Sequence, residues 1–319
     1  DYGFDVDNGV HLVFGGQDKL SSKSVTISTW QSVHELPKSY FEQFDVIIGD
    51  EAHLFKAQSL TKIMTNAINV KYRFGMTGTL DGSVVNELVL TGLFGPTHKI
   101  IDTKELIDSG KLAAIKVKCL VLSHPIEERK KLIAGTYQDE VEHIISFDPR
   151  NKFIRNLALS LKGNTLILYA YVEKHGEVLH DMIRDKAGER KVFFVHGGVD
   201  GEERESIRHI VEKENDAIIV ASYGTFSTGI NIKNLHNVVF ASPTKSRIRT
   251  LQSIGRGLRI SDTKDSMTLF DIADDLSHNK KKNYTLNHLI ERVKMYSSEG
   301  FPYELHNIKL RSDHGTGRS

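Results

Sequence analysis

Short apolar runs, rich in β-branched residues, recur along this chain and alternate with longer amphipathic stretches. That alternation is the signature of βαβ units around a mainly parallel sheet, so an α/β fold is expected before any single residue is weighed. In the first third the candidate strands are HLVF (11–14), SVTIS (24–28), DVIIGD (45–50) and YRFGMTG (72–78). Between the last two, AQSLTKIMTNAI places Leu60, Ile63, Met64, Ala67 and Ile68 on one helical face.

A second series begins further on. Its strands are KVKCLVL, NTLILYA, KVFFVHG, DAIIVAS, NVVFAS and MTLFDIA. Helical stretches run from Pro125 to about Leu161, near Glu173 to Asp185 and near Glu202 to Glu212. Between the two series Gly95, Pro96 and Gly110 interrupt regular structure, which places the junction there. The expected division is residues 1–95 for the C-terminal part of a first lobe, 96–117 for a linker, 118–275 for a second lobe and 276–319 for a terminal helix and tail. Few strands precede DVIIGD, so the first lobe is expected to be incomplete, with the chain truncated at its N-terminus.

Composition excludes several chemistries. Cys119 is the single cysteine, so no intramolecular disulfide and no cysteine cluster for zinc can form. The 15 histidines include no H-E-x-x-H, and no G-x-S-x-G occurs, so neither a zinc hydrolase nor a serine hydrolase is supported. No apolar run approaches the roughly 20 residues of a membrane span, and the N-terminus lacks a basic n-region. A reducing, cytoplasmic setting follows as the expectation. Net charge is +1, yet KSRIR (245–249), RGLR (256–259) and KKK (280–282) gather cations in the last third, where a basic face could form. A solvated surface run explains the lysine triplet equally well.

One run ends unusually. VIIGDEAHLF (46–55) stops on the adjacent carboxylates of Asp50 and Glu51, followed by His53. Ligands of open α/β sheets gather at the carboxyl ends of the strands, and neighbouring carboxylates there repel unless something positive sits beside them. Magnesium bound to nucleotide phosphates would serve, with Asp50 on the metal and Glu51 orienting water. Alone, such a pair equally well opens a helix at the positive end of its dipole.

Further along, QSIGRGLR (252–259) sets Arg256 and Arg259 three apart, on one face of a helix, suited to bidentate contact with phosphate. ASYGTFSTGINI (221–232) follows an apolar strand with hydroxyls and glycines, suited to close backbone approach to phosphates or sugars. A salt-bridged surface helix and a plain strand-to-helix turn are the ordinary alternatives.

Taken in order, Asp50-Glu51-Ala52-His53, MTGTL (76–80), VHGG with the downstream Arg204, the Gly229 loop, and Gln252 with Arg256 and Arg259 closely resemble the superfamily 2 helicases. The resemblance spans about residues 24–260. It implies two RecA-like lobes, a DEAH-box ATP hydrolase using ATP and Mg2+, and nucleic acid as partner. The wording of GMTGTLDG and QSIGRGLR is similar to members that remodel branched DNA in recombination, repair and replication.

Residue by residue, the resemblance implies Asp50 as the magnesium ligand, Glu51 as catalytic base and His53 as coupled to Gln252. Thr77, Gly78 and Thr79 would link nucleotide to nucleic acid, and Arg256 and Arg259 would meet the γ-phosphate. Gly229 and Asn231 match a further motif in which many relatives carry Asp at the position of Asn231. ISTWQS (27–32) matches a strand-binding motif in which Ser28, Thr29 and Gln31 offer donors to phosphate, and Thr225 and Ser227 do so in the second lobe. Trp30 is expected in the core rather than stacked on a base. Tyr169 and Tyr171 fit core packing as well as a place near a cleft.

One departure stands out. The family's phosphate loop, G-x-x-x-x-G-K-S/T, is absent: the single Gly-Lys pair is Gly110-Lys111, followed by Leu112. The chain alone should therefore bind and hydrolyse ATP poorly, and the loop is expected upstream of Asp1. A monomer working on branched or single-stranded DNA, or on RNA–DNA hybrids, is the expectation. The rivals are a double-stranded DNA translocase that does not separate strands and a nucleic-acid-binding module with a vestigial ATPase.

Overall fold

Aliphatic runs buried on both faces pack as parallel strands, whereas runs with one wet face alternate, and this chain contains both kinds. In a computed structural model, residues 3–20, 22–78, 80, 83–229, 232–246, 250–251, 253–255, 258, 264, 266–278 and 282–311 are described. The chain divides into two compact units, Asp1–Lys99 and Ile100–Ser319.

The first unit runs α1 (Val6–Gly9), β1 (Val10–Val13), β2 (Val25–Ser28), α2 (Trp30–Val33), α3 (Lys38–Phe41), β3 (Val46–Gly49), a 3-10 turn at Ala52–Lys56, α4 (Gln58–Asn66), β4 (Tyr72–Gly75) and α5 (Val84–Phe94). β1 pairs with β2 and β3 with β4, both in parallel, as two separate sheets. Leu60, Ile63 and Met64 of α4 are buried with Phe41, Phe55 and Leu90 in one core. Ala67 is buried too, but Ile68 is 55% exposed because α4 ends at Asn66 and turns it outward. The opposite sheet face is bare: Val46 lies beside Tyr72 and Ile48 beside Phe74, with Ile48 62% and Phe74 54% exposed.

The second unit runs α6 (Thr103–Asp108), β5 (Ala114–Ser123), α7 (Ile126–Lys131), α8 (Tyr137–Ser146), α9 (Asp148–Ser160), β6 (Thr165–Tyr169), a π-turn at Val172–Gly176, α10 (Glu177–Arg184), β7 (Val192–Val195), α11 (Gly201–Lys213), β8 (Ile218–Ser222), α12 (Tyr223–Gly229), β9 (Asn237–Phe240), β10 (Ser266–Asp275), α13 (Tyr284–Ser298) and β11 (Tyr303–Lys309). The strands form one seven-stranded sheet in the order β11-β5-β10-β9-β6-β8-β7, every pair parallel. Because side chains alternate across a strand, Val117, Cys119, Leu166 and Ile219 face one core with α11, α12 and α13. Leu122, Ile167 and Val220 face the other core with α9 and α10. Residues 96–117 hold α6 and the start of β5, and the stretch after α13 holds β11 on the sheet edge.

Candidate functional site

β3 delivers Asp50 and Glu51 to its carboxyl end, where both are exposed. Glu51 has φ 49° and ψ 49°, and it is the one non-glycine at positive φ among the described residues. That backbone costs about 1–2 kcal/mol for a residue with a Cβ, so its surroundings must hold it. They do so with hydrogen bonds. The Glu51 N–H donates to Asp50 Oδ1 at 2.8 Å. The Met76 N–H donates to the Gly49 carbonyl, and the Ala52 N–H to the Met76 carbonyl, each at 2.8 Å. The acid turn and the segment after β4 are thereby stitched together.

Glycine makes that closeness possible. Gly49 and Gly75 are neighbours in the β3–β4 register. A Cβ on Gly49 would meet Phe55 at 2.8 Å, and one on Gly75 would meet Phe94 at 2.9 Å. The 3-10 turn and α5 therefore sit directly on the strand ends.

His53 is the hub of this turn. It is 6% exposed, and its Nδ1 lies 2.9 Å from Thr77 Oγ1 and 3.1 Å from Glu51 Oε2. A protonated Nδ1 donates to carboxylate and hydroxyl alike, so Thr77 and Glu51 share one imidazole. Sequence reasoning paired His53 with Gln252 and missed this local link. The separation of 24 positions between His53 and Thr77 carries no periodic signal of it.

Gly78 follows Thr77 and is exposed. Thr79, Asn231, Gln252, Arg256 and Arg259 lie outside the described residues. Among the described residues no group of three His, Cys, Asp or Glu side chains could hold a metal ion. A magnesium ion at Asp50 would therefore need water and phosphate oxygens for the rest of its shell, which is how that ion is ordinarily held.

The candidate strand-binding residues are placed separately. Ser28 Oγ donates to the Val13 carbonyl at 3.1 Å, and the Thr29 and Ser32 hydroxyls pair at 2.9 Å. Thr29 and Gln31 line a groove of about 580 Å³ together with Gln17 and Lys19, an opening that a phosphate chain could enter. Trp30, expected in the core, is 38% exposed, with its ring edge-on to His34 at 5.3 Å. α2 is a single turn, and of its four residues only Val33 is buried.

In the second unit the hydroxyl-rich loop is largely helix: α12 starts directly after β8. Ser222 Oγ receives the Thr225 N–H at 3.2 Å and pairs with Thr225 Oγ1 at 2.8 Å. Thr225 is consequently buried, at 5% exposure, and its hydroxyl is occupied within the helix start. Ser227 and Gly229 lie further along α12. Tyr169 is fully buried, its ring stacked on Phe194 and its hydroxyl donating to the Val195 carbonyl, so it packs the core. Tyr171 is half-buried.

The carboxyl edge of this sheet hides a polar network that sequence reasoning did not find. Asp274 accepts from Arg150 Nε at 2.8 Å and from His124 Nε2 at 2.8 Å, and Arg150 Nη2 donates to the Ala241 carbonyl at 2.7 Å. Burial works against the Asp274 charge, but Arg150 and His124 hold its carboxyl below the usual range. Beside them, the Ser242 hydroxyl accepts the Ala170 N–H and meets His175 Nδ1 at 2.8 Å. Burial, with Arg150 adding, pushes His175 down to about 3, so it stays neutral. These contacts tie the ends of β5, β6, β9 and β10 to one another.

A family profile described as the helicase conserved C-terminal domain matches residues 148–261. Another, the res subunit of type III restriction enzymes, matches residues 5–82. The chain is 36% identical over 299 residues to the ATP-dependent DNA helicase UvsW of enterobacteria phage T4, covering 90% of this chain and 59% of that one. The crystal structure of T4 UvsW superposes with a TM-score of 0.54 at 34% identity, over 95% of this chain and 62% of that chain. The chain belongs to the superfamily 2 helicases as a homologue of UvsW. It spans 59% of UvsW's length and 39% of a yeast ATP-dependent helicase relative, IRC3, to which it is 23% identical.

The fold is also shared at lower sequence identity. A type I restriction HsdR subunit from Vibrio vulnificus superposes with a TM-score of 0.71 at 18% identity, covering 96% of this chain and 56% of that one. In the family's terms the fold is α/β and RecA-like. No helix among the described residues is long and apolar enough to cross a membrane.

Proposed function

We propose that this chain is the motor portion of an ATP-dependent helicase that works on branched DNA, such as forks, D-loops, R-loops and Holliday junctions, in recombination, repair and replication. The observation that carries the reading is the acid turn: two carboxylates at a strand's carboxyl end, strained and bonded through His53 to Thr77. Such a connection transmits a change at a bound phosphate to the segment after β4. When bound, ATP with Mg2+ supplies the phosphoanhydride whose hydrolysis drives the cycle. Asp50 would hold the ion, Glu51 would orient and deprotonate water, and Arg256 and Arg259 would meet developing charge on the γ-phosphate. Gln252, Gly78, Thr79, Gly229 and Asn231 would relay the state of the site. Ser28, Thr29, Gln31, Thr225 and Ser227 would position the nucleic-acid backbone, with Thr225 doing so through its helix turn rather than its buried hydroxyl. A cytoplasmic setting, that of the host for a phage-encoded chain, and a monomeric motor complete the proposal.

A second reading, movement along duplex DNA without strand separation, draws support from the restriction-subunit match over residues 5–82. No G-x-x-x-x-G-K-S/T occurs in the sequence, so turnover by the chain alone should be negligible. The test measures ATP hydrolysis with forked and blunt DNA, on the chain alone and on a fusion to a helicase segment bearing G-x-x-x-x-G-K-S/T. The fusion should hydrolyse ATP in a DNA-dependent way and lose turnover in Glu51→Gln while still binding nucleotide. Turnover unchanged in Glu51→Gln would sink the assignment. Strand displacement on the fork decides between the two readings.

A further inference from the structure

The acid turn and its neighbours leave unused the basic runs of the last third and a pair of half-exposed tyrosines. Tyr284, His288 and Arg292 are spaced four apart along α13 and so share one face of it. Arg292 is buried: it binds Asp271 through Nε and Nη2, and its Nη1 donates to the Thr244 carbonyl at 2.6 Å. The backbone just before Lys245 is thereby pinned to α13. Lys245 is exposed and near enough to His288 to help lower its pKa, after burial and Arg292.

From the other side, α8 brings Tyr137 against both rings. Its centroid lies 6.2 Å from Tyr284 at 78° and 5.3 Å from His288 at 60°. Tyr137 is 39% and Tyr284 47% exposed. Neither hydroxyl has a hydrogen-bond partner among the described residues. Lys282, two residues before α13, is exposed, and neither it nor Lys245 has an ion pair among the described residues.

The acid closest to this patch is already spent. Glu140 accepts from Asn283 Nδ2, the Tyr284 and Thr285 N–H groups and Thr285 Oγ1. Glu142 is paired with Lys174 at 3.7 Å and Glu291 with Lys294 at 2.8 Å. Among the described residues, what reaches solvent is two aromatic edges and two lysines: Tyr137 opens a helix beyond β5, Lys245 follows β9, and Lys282 and Tyr284 follow β10, three strands that are adjacent in the sheet.

We propose that Tyr137, Tyr284 and His288, flanked by Lys245 and Lys282, form a binding patch for single-stranded nucleic acid. The rings offer faces and edges against which unpaired bases pack, and the lysines take the adjacent phosphates. Stacking on aromatic side chains combined with cations along the backbone is the general physics of sequence-tolerant single-strand binding. A duplex, with its bases already stacked, has nothing to offer the rings. The patch rests on the nucleic-acid reading above, but it uses none of the residues assigned there.

The test titrates the 319-residue chain into fluorescein-labelled oligo(dT) and into a blunt duplex, following anisotropy over a salt series. Tyr137→Ala with Tyr284→Ala should weaken oligo(dT) binding between about fivefold and a hundredfold, with the salt slope unchanged. Phenylalanine at both positions should restore it, because the ring and not the hydroxyl is used. Lys245→Ala with Lys282→Ala should instead lower the slope by about 0.7 per lysine. Independently of any variant, an oligonucleotide carrying 5-iodouracil should crosslink the unaltered chain on the peptides containing Tyr137 or Tyr284. Equal oligo(dT) binding by a folded double-alanine variant, crosslinks that map elsewhere, or an equal loss on duplex and single strand overturns the patch. An unaltered chain that binds no nucleic acid overturns the wider reading as well.

Discussion

Glu51 concentrates the conflict between stability and use at a single residue. Its left-handed backbone disfavours any side chain with a Cβ, yet a carboxylate stands there. Glu51→Gly should therefore raise stability by about 0.5–1 kcal/mol, read as a higher urea midpoint for the first unit, while Glu51→Gln should leave it nearly unchanged. A lower midpoint for the glycine variant would show that the turn stores no strain. The acid pair was legible in the sequence because an apolar run ended on it. The conformation was not, since φ is set by bonds from Met76 and Asp50 that only the folded strands bring within reach. The same holds for His53, whose partners Thr77 and Glu51 are assembled by strand pairing rather than by spacing.

Among the elements, α13 shows how a helix outside the matched family segment becomes part of the second unit. Its N-terminal N–H groups would be orphaned; Glu140 of α8 satisfies two of them, and Asn283 and the Thr285 hydroxyl bond the same carboxylate. Glu140 is 4% exposed, so no water replaces what its removal leaves unpaired. Glu140→Ala should cost about 2–3 kcal/mol in denaturant unfolding and shorten α13 as judged by circular dichroism. An unchanged midpoint would mean that the helix start is held by other contacts. Apolar periodicity made α13, α11 and the strands β5 to β10 readable, since each buries a patterned face. It gave no sign of β11, where all but one residue of YELHNIK is exposed and which joins the sheet by backbone pairing to β5 alone. α12 was hidden likewise: its glycine and hydroxyls suggested a loop, whereas Ser222 caps a helix there.

Across the whole molecule, histidines that are wholly or partly buried make stability depend on pH. His143, His175 and His288 have folded pKa values depressed below the ordinary value, chiefly by burial. The unfolded chain takes up protons near pH 6.5 that the folded chain refuses, so this stability is intact above that pH and is lost as pH falls toward the folded values, about 3 for His175. Between pH 6 and pH 4, His175 alone should cost about 1.4 kcal/mol per pH unit, and His175→Gln should flatten the urea midpoint against pH accordingly. Identical slopes in both proteins would remove His175 from that account. Cys119 gives the same unit a second property. It is fully buried in β5, aligned with Leu305 of β11 on one side and Asp271 of β10 on the other, and burial followed by the Asp271 charge pushes its thiol up to about 12. A thiol reagent finds no reactive sulfur in this chain until a strand leaves the sheet. With one cysteine in the sequence, the labelling rate under native conditions becomes a clock for the opening of the seven-stranded sheet, readable without introducing any probe.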